Sequence, residues 1–479
     1  MVRQVLTVLH TNDLHSRFDA WTTLAAMIRG LRQDLEGRGE AVLLLDAGDH
    51  LDFSNTLTYG TAGMLNVRLL ADLGYHAFVP GNNETLRQPR ASLCRLADAS
   101  RVPWLAANLV EPVTSSGGPT PLPGLAPSAV VSLMDLRIGI VGVTALFERI
   151  FPYLAIGWRD THEVVLAEVD RLREQGCDLI IALSHLGLED DRALARAGLG
   201  LDLIVGGHSH HALAAGETVA GVPILQAGSH GRFLGQARLE LERTAGERWR
   251  LVGLEEQLLP VVAGAPQDEA TLALLVAGKI EADAALANVV AILPADLDHD
   301  MVGSSRLGEQ VAAALRERWQ AEIGLVNGGA MYTGLQAGPV TRRAVLDSFP
   351  SLVSPGLVEI LGEDLALLLE ESTDPRFYGM EVWGAGLRGE GVVLGRVFTS
   401  GLTWTADLTA PPGRRARDIR VQGEPLDPRR WYQAGTCTLL VHPEVGYRLP
   451  PRCRVLDRLW PDLVRDVFSE WLGSRHPPA

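Results

Sequence analysis

The sequence predicts two domains, a layered α/β domain followed by an α+β domain. Short aliphatic runs alternate with helical patterns over the first 240 residues, as expected of buried strands in a layered α/β fold. This alternation stops near residues 258–266, where a long helical pattern begins. From about residue 291 a second pattern of helix, strand and Gly-bounded β runs continues to the end.

The length of 479 residues also favours two domains, because a single hydrophobic core rarely grows beyond about 250–300 residues. We assign residues 1–258 to the first domain, 259–290 to a linker with a connecting helix, and 291–479 to a C-terminal domain. Hydrophobic residues make up 47% and charged residues 21% of the chain, which is typical of a soluble globular protein.

In the first domain, the predicted strands are rich in Val, Ile and Leu and are bounded by Gly, Asn, Asp or Pro. In chain order they are "VLTVLH", "AVLLLD", "HAFVP", "VSLMDLRIGIVGV", "DLIIALSH", "LDLIVGG" and "VPILQAG". The helical patterns between them are "TLAAMIRGLRQDL", "AGMLNVRLLADLG", "ASLCRLADA", "THEVVLAEVDRLREQG" and "DDRALARAG". The segment "TSSGGPTPLPGLAP", residues 114–127, has the composition of a surface loop.

The predicted connecting helix is "QDEATLALLVAGKIEADAALANVV". The C-terminal domain then begins with a helix, "GEQVAAALRERWQ", a strand, "IGLVNGG", and a second helix, "GEDLALLLEES". Several Gly-bounded β runs follow, so this domain is predicted to be α+β.

The charge balance excludes some partners. The 58 acidic and 43 basic residues give a formal charge of −15, which repels a nucleic-acid polymer or an anionic membrane. A small phosphate ester remains compatible with this charge, because a bound metal ion can dominate the local field.

The four cysteines and the first residues indicate a reducing compartment. Cys94, Cys177, Cys437 and Cys453 show no CxxC or paired spacing, so neither a disulfide framework nor a thiolate zinc site is predicted. The start "MVRQVLTVLHTND" lacks the apolar core of a secretory signal, and no apolar run reaches about 18 residues. We expect a cytoplasmic location, provided that Met1 is the native start.

Polar side chains that can bind a divalent metal follow five of the predicted strands. They are Asp13, His15, Asp49, Asn82, His185, His208 and His210. Each motif alone could be a turn or a glycine-rich loop, and a lone His is usually not a ligand. Strand-end loops of an α/β domain converge at one edge, however, so their shared setting favours one site. Oxygen and imidazole donors without thiols suit manganese, zinc or iron, and Asp49 is the natural bridge between two ions.

These motifs resemble a known family. "TNDLH", "DAGDH", "GNNE", "SHLG" and "GGHSH" occur in the order and spacing of the calcineurin-like metallophosphoesterases. "VLHTNDLH", "VNGG", "TSGLTW" and the long C-terminal domain resemble the 5′-nucleotidase and UDP-sugar hydrolase family, and "GNNE" resembles its cytoplasmic, YunD-type branch. The resemblance implies a four-layer αββα sandwich for the metals, followed by an α+β 5′-nucleotidase-type domain that holds the substrate.

The resemblance also implies two metal sites. Asp13, His15, Asp49 and His210 would hold one ion, and Asp49, Asn82, His185 and His208 would hold the other. The chain departs from the family at Asn83, where most members have a His, and at Leu86, where they have an Asp. That His–Asp pair steadies the phosphoryl group and assists the leaving oxygen, whereas an amide cannot deliver a proton.

We therefore assign Asn83 a catalytic role and expect substrates whose leaving group needs no proton, or a proton from His50 or His76. Replacing Asn83 by His should then raise the rate on simple alkyl phosphates.

The C-terminal domain departs from the family as well. Met331 follows the paired glycines where nucleotidases carry an arginine, and "FPSLVSPGL" replaces the familiar stretch whose aromatic stacks on the base. By the resemblance, Asn327, Gly328 and Gly329 are predicted to contact the substrate. The aromatic residues that could form a stacking wall, or equally belong to the core, are Tyr332, Phe349, Phe377, Tyr378 and Trp383.

The resemblance implies an enzyme of nucleotide catabolism. We expect hydrolysis of a small phosphate ester, a nucleotide or nucleotide derivative, by attack of a hydroxide that bridges two divalent ions (Mn, Zn or Fe). The alternative is a catalytically silent sensor of metal or nucleotide with the same fold. The missing His–Asp pair favours the sensor, and the seven intact ligands oppose it.

Overall fold

The computed structural model describes residues 1–112, 119–244, 248–262, 264–381, 393–437, 440, 453–458 and 461–478. The chain divides into two compact units, Met1–Ala282 (unit 1) and Asp283–Ala479 (unit 2). The division falls inside helix α8 (Glu269–Leu286), within the segment 259–290 that was predicted to connect the domains.

Unit 1 is built from strands and helices that alternate along most of its length. Its strands are β1 (Val2–Thr11), β2 (Ala41–Asp46), β3 (Ala77–Phe78), β4 (Trp104–Leu105), β5 (Leu109–Val110), β6 (Leu125–Ala126), β7 (Ser128–Leu133), β8 (Leu136–Thr144), β9 (Gly157–Trp158), β10 (Leu179–His185), β11 (Leu203–Val205), β12 (Glu217–Val219), β13 (Val222–Leu225), β14 (Phe233–Arg243) and β15 (Arg250–Pro260). Its helices before α8 are α1 (Phe18–Gly37), α2 (Thr56–Gly60), α3 (Met64–Leu73), α4 (Asn82–Leu86), α5 (Arg90–Ala99), α6 (Thr161–Glu174) and α7 (Leu188–Arg196), with a 3-10 turn at Phe151–Leu154.

Two mixed sheets organise unit 1. The first has the strand order β15-β14-β1-β2-β3-β4-β6, and the second has the order β12-β13-β11-β10-β8-β7. β1, β2 and β3 run parallel, as do β8, β10, β11 and β13, so two sets of carboxyl ends are available for a site.

The two sheets pack face to face with helices outside. Leu6, Leu43 and Leu45 of the first sheet share a core with Ile140 and Ile181 of the second. The outer face of the second sheet packs against α6 and α7, and α1 contacts β2 on the first. Because both faces are covered, β2 and β10 are buried at every residue, which explains their uninterrupted aliphatic runs. The predicted four-layer αββα sandwich is confirmed.

Several features of unit 1 differ from the prediction. The short strands β4, β5, β6, β9 and β12 were not predicted, and β6 lies within residues 114–127, which were expected to form a surface loop. The run "VSLMDLRIGIVGV" is a hairpin of β7 and β8, since Met134 takes a left-handed φ of 55° and Leu133 pairs with Leu136. The long antiparallel pair β14–β15 was not predicted. β15 alternates exposed and half-buried residues, and it therefore lacks the aliphatic run of a fully buried strand.

Unit 2 is an α+β unit. Its strands are β16 (Val289–Leu293), β17 (Ile323–Asn327), β18 (Gly338–Thr341), β19 (Pro355–Leu361), β20 (Val397–Ser400), β21 (Leu402–Ala406), β22 (Ala416–Val421), β23 (Glu424–Pro425), β24 (Trp431–Cys437) and β25 (Arg454–Arg458). Its helices after α8 are α9 (Arg306–Arg318), α10 (Arg342–Ser348), α11 (Gly362–Glu371), α12 (Pro375–Tyr378) and α13 (Val464–Arg475), with a 3-10 turn at Gly328–Ala330.

A five-stranded sheet of order β20-β17-β24-β19-β25 forms the centre of unit 2. Leu307, Val311 and Leu315 of α9 pack on Leu325 of β17 in its core. In the described part of the chain, none of the helices is both long and apolar enough to cross a membrane.

Candidate metal centre

The predicted metal ligands lie at the carboxyl ends of parallel strands in unit 1. Asp13 and His15 follow β1, Asp49 follows β2, and Asn82 follows β3 in the first sheet. His185 ends β10, while His208 and His210 follow β11 in the second.

Asp13, His15 and His210 form one group of side chains. Each offers an atom that lies within 4.8 Å of those of the other two. His15 Nε2 is 3.1 Å from His210 Nε2, which is 3.3 Å from Asp13 Oδ1. The side chain of Asp13 is fully buried and that of His210 is 40% exposed, so the group is accessible from the His210 side.

Asp13, Asp49 and His185 form a second group by the same 4.8 Å distance. His185 Nδ1 lies 2.6 Å from the carbonyl oxygen of Ala47, which accepts the Nδ1 proton and directs Nε2 toward Asp49 Oδ1, 3.5 Å away. Fixing one nitrogen of a His in this way is the usual arrangement for a metal ligand.

Asn82 and His208 complete the predicted set. Asn82 follows Gly81, and a Cβ atom placed on that glycine would lie 2.6 Å from His185 Nε2. The His208 backbone N–H donates to Asp13 Oδ2 at 2.9 Å, and its ring centroid is 5.1 Å from that of His185. The structure thus brings six of the seven side chains together and places Asn82 at the start of α4 beside them, and the role of all seven as ligands stays a prediction.

The backbone at this site adopts conformations that favour glycine. Five of the seven predicted ligands have a positive φ: Asp13 (51°), His15 (50°), Asp49 (52°), His208 (71°) and His210 (59°). Such a residue costs on the order of 1–3 kcal/mol, and these residues concentrate at functional sites. Backbone bonds hold two of these turns, since Asp13 and His15 donate their N–H groups to the carbonyls of Gly48 and Asp49.

Asn83 is a buried support rather than an exposed group. It is 1% exposed, its backbone N–H donates to Asp49 Oδ1 at 2.8 Å, and Nδ2 lies 3.1 Å from Asp49 Oδ2 and 2.9 Å from His15 Nδ1. Leu86 is buried as well, and its aliphatic side chain offers no acid to Asn83. The catalytic role assigned to Asn83 stays a prediction, and its contacts show that it positions Asp49 and His15.

Glu84 fixes the loop that carries Asp49. Its carboxylate accepts the N–H groups of Gly81, Asp49 and Leu51 at 2.7, 3.1 and 2.8 Å. Burial, together with the charge of Asp49, raises the pKa of Glu84 to about 8.

His185 and Asp49 each favour the charged form of the other. Burial lowers the pKa of His185, but the carboxylates of Asp49 and Asp13 outweigh burial and raise this pKa to about 10. Burial raises the pKa of Asp49, but His185 and His15 outweigh it and hold this pKa well below its usual value. A divalent cation can take the place of the His185 proton, because both stabilise the same carboxylates.

The donor set fits divalent ions. Asp13 Oδ1, Asn82 Oδ1 and His185 Nε2 are buried and have no hydrogen-bond partner among the described residues. A buried polar atom without a partner costs about 1–3 kcal/mol, which a bound cation would offset. Carboxylate, amide and imidazole donors are those that manganese, zinc and iron accept.

His50 and His76 were expected as alternative proton donors. His50 is fully buried, stacks edge-on against Trp21 at 4.8 Å, and lies 3.1 Å from Asn66 Nδ2. Burial lowers the pKa of His50 to about 3. His76 accepts the backbone N–H of Leu44 in the middle of β2, away from the strand ends. These contacts give both residues a structural role.

Sequence reasoning missed His230. It follows β13, which runs parallel to β11, and its ring centroid lies 5.2 Å from that of His15 and 5.7 Å from that of His210. Burial and the neighbouring His15, His210, Arg17 and Arg232 lower the pKa of His230 to about 4. Its one sequence signal was that "VPILQAGSH" also places a His after a predicted strand, without the spacing of a metal-ligand motif.

In unit 2, polar groups of the residues predicted to contact the substrate already form hydrogen bonds within the protein. Asn327 is fully buried and its Nδ2 donates to the Leu394 carbonyl at 2.7 Å. The N–H groups of Gly328 and Gly329 donate to the carbonyls of Arg396 and Leu394. Their role in substrate binding stays a prediction.

The predicted aromatic wall is divided. Phe349 is a core residue that packs against Phe468. Tyr332 and Phe377 are partly buried against the same core. Tyr378 lies under the guanidinium of Arg396, 4.9 Å from it. Trp383 lies outside the described residues.

Two family models match the chain. The calcineurin-like phosphoesterase model matches residues 6–212, and the model of the 5′-nucleotidase C-terminal domain matches residues 271–447. The first match covers the sandwich from β1 to β11, and the second covers most of unit 2.

Similar proteins support the same grouping. The uncharacterized metallophosphoesterase YunD of Bacillus subtilis is 29% identical over 471 residues, which cover 98% of this chain and 99% of that protein. A 5′-nucleotidase of Diplobatis ommata is 30% identical over 275 residues, 50% of this chain and 46% of its own. The solved structure of the Haemophilus influenzae NAD nucleotidase shares the fold, with a TM-score of 0.66 at 16% identity over 99% of this chain and 97% of that one.

Proposed function

Because this chain belongs to the calcineurin-like metallophosphoesterases and carries a 5′-nucleotidase C-terminal domain, we propose that it hydrolyses a nucleotide or a nucleotide derivative. The convergence of Asp13, His15, Asp49, His185 and His210 at one edge of the sandwich carries this proposal. The nucleotide itself is inferred from relatives that are named 5′-nucleotidases.

Two predicted sets of side chains would hold two divalent ions, and Asp49 belongs to both. The sets are Asp13, His15, Asp49 and His210 for one ion, and Asp49, Asn82, His185 and His208 for the other. We propose manganese, zinc or iron, because the donors are oxygen and imidazole. When bound, two such ions supply charge neutralisation at the phosphoryl oxygens and a water of lowered pKa.

The protein's own residues prepare this site before substrate arrives. The Ala47 carbonyl orients His185, Asn83 orients Asp49 and His15, and Glu84 fixes the loop between β2 and α2. Preorganised ligands of this kind spare the site a rearrangement during the reaction.

The absence of the His–Asp pair at Asn83 and Leu86 bears on the substrate. The Asn83 amide cannot deliver a proton and Leu86 carries no carboxyl group, so the reaction is best suited to a leaving group that departs without a proton, such as a phosphate. We therefore propose nucleoside diphosphates and other phosphoanhydrides ahead of alkyl monoesters.

Turnover of bis-p-nitrophenyl phosphate by the manganese-loaded protein tests the function. We expect Asp49→Ala to abolish turnover, because Asp49 is the residue that the two predicted ligand sets share. Asp135→Ala, at a surface ion pair with Arg243, is the matched control and should keep full activity. Stoichiometric nucleotide binding without turnover by the unaltered protein would favour the sensor instead.

The partner is proposed to be a small phosphorylated metabolite rather than a nucleic-acid polymer or a membrane, in keeping with the formal charge of −15. The cytoplasmic location stays a prediction.

A further inference from the structure

A cavity of about 880 Å³ in unit 1 lies beside the candidate metal centre and includes His210 in its wall. The start of α1, the loop between β13 and β14, and the segment after β15 enclose it. Arg17, Asp19, His230, Arg232, Val261 and Gln267 are among the residues that line it. The cavity thus continues from the exposed side of the Asp13, His15 and His210 group.

The charges in this cavity do not cancel. Arg17 is neutralised by Asp19, to which its Nε and Nη2 donate at 3.0 and 2.7 Å. Arg232 has no carboxylate partner among the described residues, since its side chain only donates to the carbonyl and hydroxyl oxygens of Ser229 at 3.3 and 3.5 Å. One positive charge is therefore left to face the cavity.

His230 lines the same cavity as Arg232, and its ring lies next to those of His15 and His210 in the metal centre. Its Nδ1 is 2.9 Å from Ser229 Oγ, and its backbone N–H donates to the carbonyl of Asp13 at 2.7 Å. These two bonds fix the ring next to His15 and His210. The loop 228–232 therefore presents a guanidinium and an imidazole at fixed positions toward the cavity.

We propose that this cavity binds a second phosphoryl group of the substrate. That group is joined through an anhydride oxygen to the phosphoryl group that the water attacks. A guanidinium presents paired N–H donors that match phosphate oxygens. The inference rests on the proposed hydrolase function and specifies its substrate as a phosphoanhydride.

The chemistry is consistent with that substrate. Water oxygen forms a bond to phosphorus, the bond from phosphorus to the bridging oxygen breaks, and that oxygen leaves with the bonding electrons on the second phosphoryl group. The protons of the water pass to solvent. A phosphate that leaves in this way needs no proton, which agrees with the amide at Asn83.

Calorimetric titration with imidodiphosphate, which resists hydrolysis, and with inorganic phosphate tests the site on manganese-loaded protein dialysed free of excess metal. We expect Arg232→Ala to weaken imidodiphosphate binding by about tenfold, as for a lost hydrogen bond to a charged group, and to leave phosphate binding unchanged. Arg232→Gln should show the same loss while keeping the contact with Ser229. Arg238→Ala, on β14 and paired with Glu240, is the matched control and should bind both ligands normally.

Unchanged imidodiphosphate binding in both Arg232 variants, or an equal loss for phosphate, would overturn the inference. Turnover of bis-p-nitrophenyl phosphate separates this result from failure of the proposed function. An unaltered protein that turns over the diester but shows no dependence on Arg232 lacks only the second site. A protein without turnover whose imidodiphosphate binding still depends on Arg232 has the anion site but not the proposed function.

Discussion

Asn83 couples two predicted metal ligands. Its backbone N–H and its amide both contact Asp49, and the same amide contacts His15 Nδ1. A side chain that orients ligands commonly changes metal affinity or activity by 10- to 100-fold when it is removed. Asn83 therefore acts on the chemistry through Asp49 and His15.

Asn83→Ala should lower both manganese affinity and the rate on bis-p-nitrophenyl phosphate by about 10- to 100-fold. The measurements are a calorimetric metal titration and the initial rate at saturating manganese. Asn288→Ala, an exposed amide that bonds to the Ala285 carbonyl, is the matched control. Full metal affinity in Asn83→Ala would show that Asp49 and His15 need no such support.

The residues of the centre could be predicted because each follows an aliphatic strand in a motif of known spacing. His230 and Arg232 escaped prediction for a physical reason. Their loop follows β13, but "GSHGR" has no metal-ligand spacing, and the cavity forms only when α1 and the segment after β15 meet it in space. The occupied hydrogen bonds of Asn83 and Asn327 likewise depend on tertiary contacts that a sequence does not display.

At the scale of elements, the turn between β3 and α4 must come very close to the loop after β2. A Cβ atom on Gly81 would overlap Asp49 Oδ1 and lie 2.7 Å from the Asp49 backbone nitrogen. Gly81 has a φ of −91°, so the requirement comes from space and not from backbone strain.

Gly81→Ala should therefore reduce activity by at least about tenfold, since a displacement near 1 Å of a catalytic group can cost two orders of magnitude. Initial rates and thermal unfolding are the measurements. Gly30→Ala in α1, where a Cβ would meet nothing within 4 Å, is the matched control and should stabilise the helix by about 0.5–1 kcal/mol without loss of rate. Normal turnover in Gly81→Ala would contradict the tight approach.

The contact between β10 and α7 contains a buried acid. Ser184, next to His185, donates a hydrogen bond to Asp191 Oδ1, while Asp191 Oδ2 has no partner among the described residues. Burial raises the pKa of Asp191 to about 7 from an ordinary value near 3.8. The folded protein therefore keeps this proton over a pH range in which the unfolded chain releases it.

Because the pKa of Asp191 is higher in the folded protein, its contribution to the free energy of unfolding is fully present below about pH 4. This contribution falls as the pH rises toward 7. Asp191→Asn, which stays neutral, should gain on the unaltered protein by roughly 1.4 kcal/mol in unfolding free energy for each unit between pH 5 and 7. Urea unfolding in EDTA measures this gain. A constant difference across that range would show that Asp191 is already ionised at pH 5.

Sequence patterns predicted the buried parallel strands well and the antiparallel ones poorly. β2 and β10 are covered on both faces and read as aliphatic runs. β7, β14 and β15 lie at sheet edges or beside them and carry mixed patterns, and the β7–β8 turn at Met134 contains no glycine or proline. Asp135 was the only turn-forming residue between the two strands, too weak a signal to divide the run.

At the scale of the whole molecule, the candidate metal centre and its neighbouring cavity lie in one of the two units. The seven predicted ligands and the cavity of Arg232 belong to unit 1, Met1–Ala282. In the described part of unit 2, the Asn327 amide donates to the Leu394 carbonyl, and Phe349 lies in the core. Metal binding should therefore stabilise a limited and predictable set of segments.

Hydrogen exchange measured with and without manganese tests this expectation. A ligand that binds only the folded state stabilises it by RT ln(1 + [L]/Kd), about 2.7 kcal/mol at a hundredfold excess over Kd. We expect slower exchange in the loops after β1, β2, β3, β10 and β11, with peptides from α9 and β17 as the internal reference. Asp49→Ala should lose the effect, because both predicted ligand sets include Asp49. Equal slowing in Asp49→Ala would place the ions elsewhere, whereas slowing confined to the loop after β1 and to His210 would indicate a single ion. Equal slowing in Asp49→Ala would remove the basis for a dinuclear hydrolase, because the ions would then bind away from Asp13, Asp49 and His185.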